Sequence, residues 1–356
     1  MNEESMIEIL FSLSSAVGVS GNETAALEAA ADLFKKYTDE VTKDRFGNLI
    51  ALKKGEAPEG RKLTLALVAH IDEIGAMVTK IEPNGFLRFT SVGGIDTRVL
   101  PGQAVVVHGS NPLHGVIGAT APHLLTEEER AQSVPIDKLF IDVGFSFEAA
   151  ATMLRVGDYI SFKQKPLKMH TGKTVSGKAL DNRAGITALI KCAADLSGLR
   201  HQADICFIAS LQEEVGLKGA ITAAYGLKPD LAVAVDVTHG DLPGIDEKDT
   251  FKIGAGPALA VGPNFHPIFS STLQQIAKNN NLPFQVEPIP GHSGTDAWAI
   301  QVSREGIPTA LASIPLRYMH TPVELISSGD LYITGRLLAY LSAMMTNSFL
   351  GELKGC

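Results

Sequence analysis

The sequence predicts an α/β fold: a sheet buried under helices, built from both ends of the chain, with a β-rich insert between them. Three observations carry that reading. Short, almost unbroken apolar runs recur at Thr64–Ala69, Ala203–Leu211, Leu231–Val235 and Ile307–Ile314, as they do in strands covered on both faces. Helix and strand patterns alternate over residues 1–73 and again over 166–356. Between them, over 74–165, short strand-like segments punctuated by turns take over. At 356 residues the chain is long enough for roughly two domains of about 100–200 residues. The economical division is a discontinuous domain of 1–73 and 166–356 with a β-rich domain, 74–165, inserted into it.

Taken in order, Ser20-Gly21-Asn22-Glu23 fits a capping box ahead of a helix from Ala25 to Tyr37. The strand Thr64–Ala69 runs into His70-Ile71-Asp72-Glu73, at the end of a buried strand where ligands bind in such sheets. In the insert, Asn84-Gly85 is a hairpin turn, and Gly93-Gly94, Pro101-Gly102, Gly109 and Gly157-Asp158 mark further turns. Thr126–Arg130 reads as a short helix or an exposed charged loop.

After the insert, a polar turn carrying Asp181 opens a helix through Ile186 to Leu196, where Asp181 alone would serve as an N-terminal cap. The next two buried strands end in Gln212-Glu213-Glu214 and in Asp236. His320 follows the last apolar run, just before the final helix, where on its own it reads as a surface or capping histidine. Gly291–Asp296 lacks the Gly-x-Ser-x-Gly spacing of a serine nucleophile, and Gly294-Thr295-Asp296 reads as a cap on a helix from Ala297 to Arg304 or, by the family resemblance given below, as part of a substrate pocket. Gly254-Ala255-Gly256-Pro257 is a turn, since it lacks the further glycine and helix start of a dinucleotide site.

Composition narrows the function. A net charge of -8 argues against a nucleic-acid partner, and no apolar run approaches the roughly 18–20 residues that span a membrane. The first residues, Met1–Met6, lack the basic and apolar regions of a signal peptide. Three scattered cysteines, Cys192, Cys206 and Cys356, form no motif and suit a reducing cytoplasm, with Cys192 and Cys206 packed in the core. The remaining histidines have no ligand-like spacing, although His239 is close enough to Asp236 to neighbour a site there.

The strand ends thus deliver His70, Asp72, Glu213, Glu214 and Asp236 to one rim, with Asp181 and His320 nearby in the same order of the chain. That donor set suits two divalent ions about 3.5–4 Å apart, which need a bridging carboxylate and further imidazole or carboxylate ligands on each side. A further group, not a ligand, must take a proton from the attacking water. Adjacent Glu213 and Glu214 can divide the tasks of ligand and base, and Asp72 can hold the far ring nitrogen of His70.

In Ala69–Gly75, Leu180–Gly185, Gln212–Gly216, Val235-Asp236 and His320–Glu324 the chain resembles the M42 metallo-aminopeptidases of the zinc exopeptidase clan. Continuation of His-x-Asp into Glu73-Ile74-Gly75, and the β insert, separate it from the M20 and M28 relatives. The resemblance implies a three-layer αβα catalytic domain with an inserted β-barrel-like dimerisation domain. It implies one metal on His70, Asp181 and Asp236 and a second on Asp181, Glu214 and His320, with Asp181 the bridge. Glu213 would be general base and acid, Asp72 would orient His70, and the Asp181–Asn182 peptide would be cis. It further implies peptide substrates cut at the N-terminus, two ions of zinc, cobalt or manganese that polarise the carbonyl and anchor the α-amine, and dimers assembling into a dodecamer.

Two other readings are weighed against this. A glycoside hydrolase, a label some proteins of this family have carried, would use two carboxylates without metal and leave His70 and His320 unexplained. A non-catalytic scaffold would have no need of Glu213 beside five ordered ligands.

Overall fold

The computed structural model of the chain describes residues 1–57 and 62–353. Among them, an eleven-stranded sheet has at its centre four mutually parallel strands, in spatial order Asp204–Ser210, Thr64–His70, Leu231–His239 and Thr309–Arg317. Antiparallel strands, including Leu49–Lys53 and Glu324–Ser327, extend it on both sides.

Burial on both faces explains the unbroken apolar runs. Successive side chains of a strand point to opposite faces, so Leu65, Leu67 and Ala69 pack under the helices Glu3–Ser15, Leu180–Leu196 and Ser328–Met344. Ala66 and Val68 pack instead with Ala220, Ala223 and Ala224 of the helix Lys218–Leu227 and with Ala299 and Ile300 of Asp296–Gln301. The small residues on that second face let the helices approach closely. This is the three-layer α/β arrangement expected from the sequence, and no described helix is long and apolar enough to cross a membrane.

Register places polar residues at the rim. His70 lies opposite Ser210 at the end of its strand, whereas Asp236 lies opposite Ser313 within the longer strands Leu231–His239 and Thr309–Arg317, which stay paired and buried beyond them.

Within residues 75–162, six strands close into a barrel, in the order Gly75–Ile81, Leu87–Val92, Phe140–Asp142, Pro112–Gly118, Ala104–His108 and Tyr159–Phe162. Closure comes from pairing of the first with the last, Ala76 opposite Ile160, and leaves no long open edge. The barrel has a core of its own, including Val78, Phe89, Val105, Val107, Ile141 and Ile160. Its first hairpin turns at Gly85, whose φ of +88° favours glycine as the sequence anticipated. The chain leaves for the barrel after Glu73 and is back by Lys178, whose Nζ donates to the Glu73 carboxylate at 2.7 Å in a buried ion pair. The two ends of the excursion are thus fastened together.

Local details differ from expectation. The helix expected from Ala25 to Tyr37 spans Thr24–Phe34, and no side chain caps it at Glu23. Ser20 closes no capping box, because the helix begins only at Thr24; its hydroxyl donates to Asp72 Oδ2 at 2.6 Å, while Glu23 accepts from the Gly21 N–H. A capping box does form in the barrel region, at Thr126 and Glu129, on the short helix Glu127–Arg130. The helix expected from Ala297 to Arg304 covers Asp296–Gln301. Cys192 and Cys206 are buried and unpaired, and Cys356 lies outside the described residues.

Candidate metal centre

His70 ends its strand with the imidazole almost wholly buried. Its Nδ1 faces Asp72, 3.3 Å from the backbone oxygen and 3.5 Å from Oδ1. A proton held there leaves Nε2 unprotonated, and Nε2 is the atom that points to the cluster. It lies 3.0 Å from Asp181 Oδ1, 3.7 Å from Asp236 Oδ1 and 3.9 Å from Glu213 Oε2.

Asp181 sits between the two histidines. Oδ1 faces His70, whereas Oδ2 lies 3.6 Å from His320 Nε2, itself 3.5 Å from Glu214 Oε2. Its two oxygens therefore look to opposite sides, as a bridging carboxylate requires. Asp181 is free to do this because its neighbour caps the helix: Asn182 Oδ1 accepts from the Gly185 N–H at 2.9 Å, and Asn182 Nδ2 donates to Val235 O at 2.8 Å. Asp181 itself has extended backbone angles (φ -78°, ψ 104°) and is joined to Asn182 by a cis peptide.

Two buried carboxylates hold the frame. Asp72 Oδ1 accepts from the Glu213 N–H at 3.0 Å and Oδ2 from the Glu214 N–H at 3.2 Å, besides the Ser20 hydroxyl. Burial works against its charge, but His70, Ser20 and Glu213 outweigh this and hold the carboxyl below its ordinary range. Glu324 does the same on the other side: Oε2 accepts from the Asp181 N–H and Oε1 from the His320 N–H, each at 3.0 Å. His320 has a φ of +61°, and the bond to Glu324 steadies that left-handed turn.

The barrel reaches the same place through Gly93 and Gly94. A Cβ on Gly93 would come within 3.3 Å of Glu214 Oε2, and one on Gly94 within 3.0 Å of His320 Nδ1, so only glycines let this loop lie against the cluster. Gly93 also has a φ of +78°.

Electrostatically the cluster is short of positive charge. Among the described residues, no lysine or arginine forms an ion pair with Asp181, Glu213, Glu214 or Asp236. Burial pushes Glu213 up to about 10, with the His70 charge pulling it down and Asp236, Asp296 and Glu214 adding to the rise. Burial, the Asp181 charge and further carboxylates likewise raise Glu214 well above its ordinary value. For His70, burial opposes protonation, but Glu213, Asp181, Asp236 and Asp72 together push its imidazole well above the usual histidine value. Carboxylates packed this closely cannot all ionise without cations among them. Imidazole and carboxylate donors are also the right chemistry for a first-row divalent ion. Three groups could hold one, with donor atoms within 4.8 Å of one another: His70, Asp181 and Asp236; Asp181, Glu214 and His320; and His70, Glu213 and Glu214.

The M42 glutamyl aminopeptidase family profile matches residues 47–337. The chain belongs to that family. It is 36% identical over 335 residues to a lysyl aminopeptidase of Pyrococcus furiosus, covering 93% of this chain and 94% of the relative. An aminopeptidase from the archaeon Desulfurococcus kamchatkensis superposes with a TM-score of 0.91 at 34% identity, covering 99% of both chains. The TET1 peptidase of Pyrococcus horikoshii, which can assemble into a tetrahedron or a large octahedral shell, superposes at 0.83 with 34% identity over 96% of this chain and all of that one. Aminopeptidase function, which the resemblance implied, is thus supported by the matching family and by relatives named aminopeptidases.

All seven residues singled out in the sequence meet in this one cluster, and His239 lines the adjoining cavity. Ser20, Glu324 and the Gly93–Gly94 loop were not anticipated there. Asp296, read in the sequence as part of a substrate pocket or as a helix cap, is a buried acid whose Oδ2 accepts from Ser210 Oγ at 2.5 Å and which burial pushes up to about 7. Of the unanticipated groups, only Glu324 left a trace in sequence, its four-residue spacing from His320.

Proposed function

We propose that the protein is a dinuclear metal-dependent aminopeptidase. The observation that carries this is the Asp181 carboxylate, with one oxygen facing His70 and the other His320. His70 and Asp236 would hold one ion and Glu214 and His320 the other, with Asp181 shared; zinc, cobalt and manganese all suit these donors. When bound, the ions supply Lewis acidity to the scissile carbonyl and lower the pKa of the attacking water.

The chain's own residues do the rest. Glu213 takes a proton from the water as its oxygen bonds to the carbonyl carbon, and passes it to the departing amine nitrogen as the C–N bond breaks. Asp72 fixes the tautomer of His70 and holds the backbone of Glu213 and Glu214 in place. The two imidazoles set among the carboxylates support this reading over a glycosidase. Buried, unpaired Cys192 and Cys206 accord with a reducing cytoplasm.

The test is a panel of chromogenic aminoacyl substrates with zinc, cobalt or manganese added. Hydrolysis is expected to stop on exhaustive chelation and return with metal; activity that survives complete removal, or glucan hydrolysis without metal, would sink the proposal. We also propose that the barrel pairs subunits and that the dimers build a dodecamer, as the likeness to a shell-forming peptidase supports. Light scattering should then give a mass of many subunits, and a stable monomer at working concentration would rule assembly out.

A further inference from the structure

The cavity beside the candidate centre contains a carboxylate that the proposed reaction does not use. Glu287, in the strand Gln285–Pro288, is buried and lines the same 330 Å³ cavity as Asp181, Asp236 and His320. Its Oε1 accepts from Thr238 Oγ1 at 2.6 Å and its Oε2 from Ser313 Oγ at 2.8 Å. Ser313 is the cross-strand neighbour of Asp236, and Thr238 stands two residues beyond it on the same strand face. The Glu287 group is therefore built into the wall next to a proposed metal ligand, in a cavity that, on the aminopeptidase reading, would receive the side chain of a peptide's first residue.

We infer that Glu287 determines the specificity of this subsite and selects a cationic N-terminal residue, lysine or arginine. The inference rests on the aminopeptidase reading. A carboxylate offers about four acceptor positions, and the two hydroxyls occupy one on each oxygen, leaving capacity for an incoming donor. No lysine or arginine lines the cavity, and among the described residues none forms an ion pair with Glu287. Burial raises its carboxyl above the ordinary value while Thr238 and Ser313 pull it back, and an arriving ammonium or guanidinium would favour the charged form further.

The walls fit the rest of such a side chain. Ile289, Leu311 and Met319 line the cavity with apolar surface, suited to the methylene stem of lysine or arginine. An acidic side chain would meet the repulsion of Glu287, and an aliphatic one would cover that carboxylate while leaving its remaining acceptor positions unfilled. The pocket thus discriminates by what it penalises as well as by what it attracts.

The experiment uses the full-length, metal-loaded protein and 4-nitroanilides of lysine, arginine, leucine, glutamate and norleucine, the last being the lysine chain without its ammonium. kcat/KM for lysine is expected to exceed that for norleucine by about 10- to 100-fold, the discrimination a charged hydrogen bond supplies. Glu287→Gln should bring that ratio close to one. A readout without turnover runs alongside: free L-lysine should raise Tm more than L-norleucine in the parent and equally in the variant. Norleucyl, leucyl or glutamyl substrates matching the lysyl one, or an unchanged ratio in Glu287→Gln, would overturn the subsite while leaving the aminopeptidase reading intact. Failure to cleave any aminoacyl substrate would overturn that reading instead. The thermal shift would then decide the subsite, a lysine-specific rise supporting it and its absence ending it.

Discussion

Glu213→Gln is expected to leave a folded protein that holds its metal and turns over about 10²- to 10⁴-fold more slowly, the span a positioned acid–base group contributes. Glutamine keeps the shape and the backbone bond from Glu213 N–H to Asp72, so the frame around the cluster should not move. What it loses is the ability to carry a proton from water to the leaving amine. The loss should therefore fall on kcat, with KM little changed. The comparison matters because Glu213 Oε2 also lies 3.9 Å from His70 Nε2 and belongs to one of the three groups able to hold an ion. Metal analysis separates the roles: a ligand's removal would cut metal content along with rate, and retention of substantial activity would remove Glu213 as the base.

Asp181→Asn is the complementary case. The asparagine offers one neutral oxygen where the carboxylate offers two charged ones, and its amide nitrogen cannot replace the oxygen facing either His70 or His320. Both ions should be lost, with an affinity drop larger than the about 10- to 100-fold usual for a residue that only orients a ligand. Activity should vanish with them. Elemental analysis after dialysis is the check, and a variant that retains two ions per chain would show that Asp181 is not the bridge.

Much of the cluster was legible because the strands announce their own ends. Thr64–His70 and Leu231–His239 are buried on both faces, and their aliphatic runs are broken by His70 and Asp236, the first at its strand's end and the second within a strand that stays buried through Thr238. Glu213 and Glu214 follow Asp204–Ser210 by the same logic. Asp181 was ambiguous, since an aspartate before a helix is most simply a cap. The structure resolves this through Asn182, whose side chain does the capping. Ser20 misled in the opposite direction: its spacing to Glu23 fits a capping box, but Asp72, fifty-two residues on in the chain, takes the hydroxyl.

Other parts left no local signal. Glu287 is a single acid in an ordinary strand segment, and only its burial distinguishes it from a surface carboxylate. The Gly93-Gly94 pair reads as a turn in isolation, and its approach to Glu214 and His320 depends on how the barrel is set against the sheet.

Hydrophobic periodicity and turn residues indicated the α/β class and a β-rich middle of the chain, because burial leaves a repeating pattern along it, and the family resemblance in motif order picked out the seven residues of the cluster. Tertiary structure decided which atoms face one another: the two oxygens of Asp181, the three hydrogen bonds gathered on Asp72, the clamp of Glu324 and the pocket at Glu287. These contacts join residues 111, 143 and 49 positions apart for His70–Asp181, Asp181–Glu324 and Thr238–Glu287. Local pattern records whether a residue is buried, but the partner that meets its charge is supplied by another strand, and only the packed sheet brings the two together.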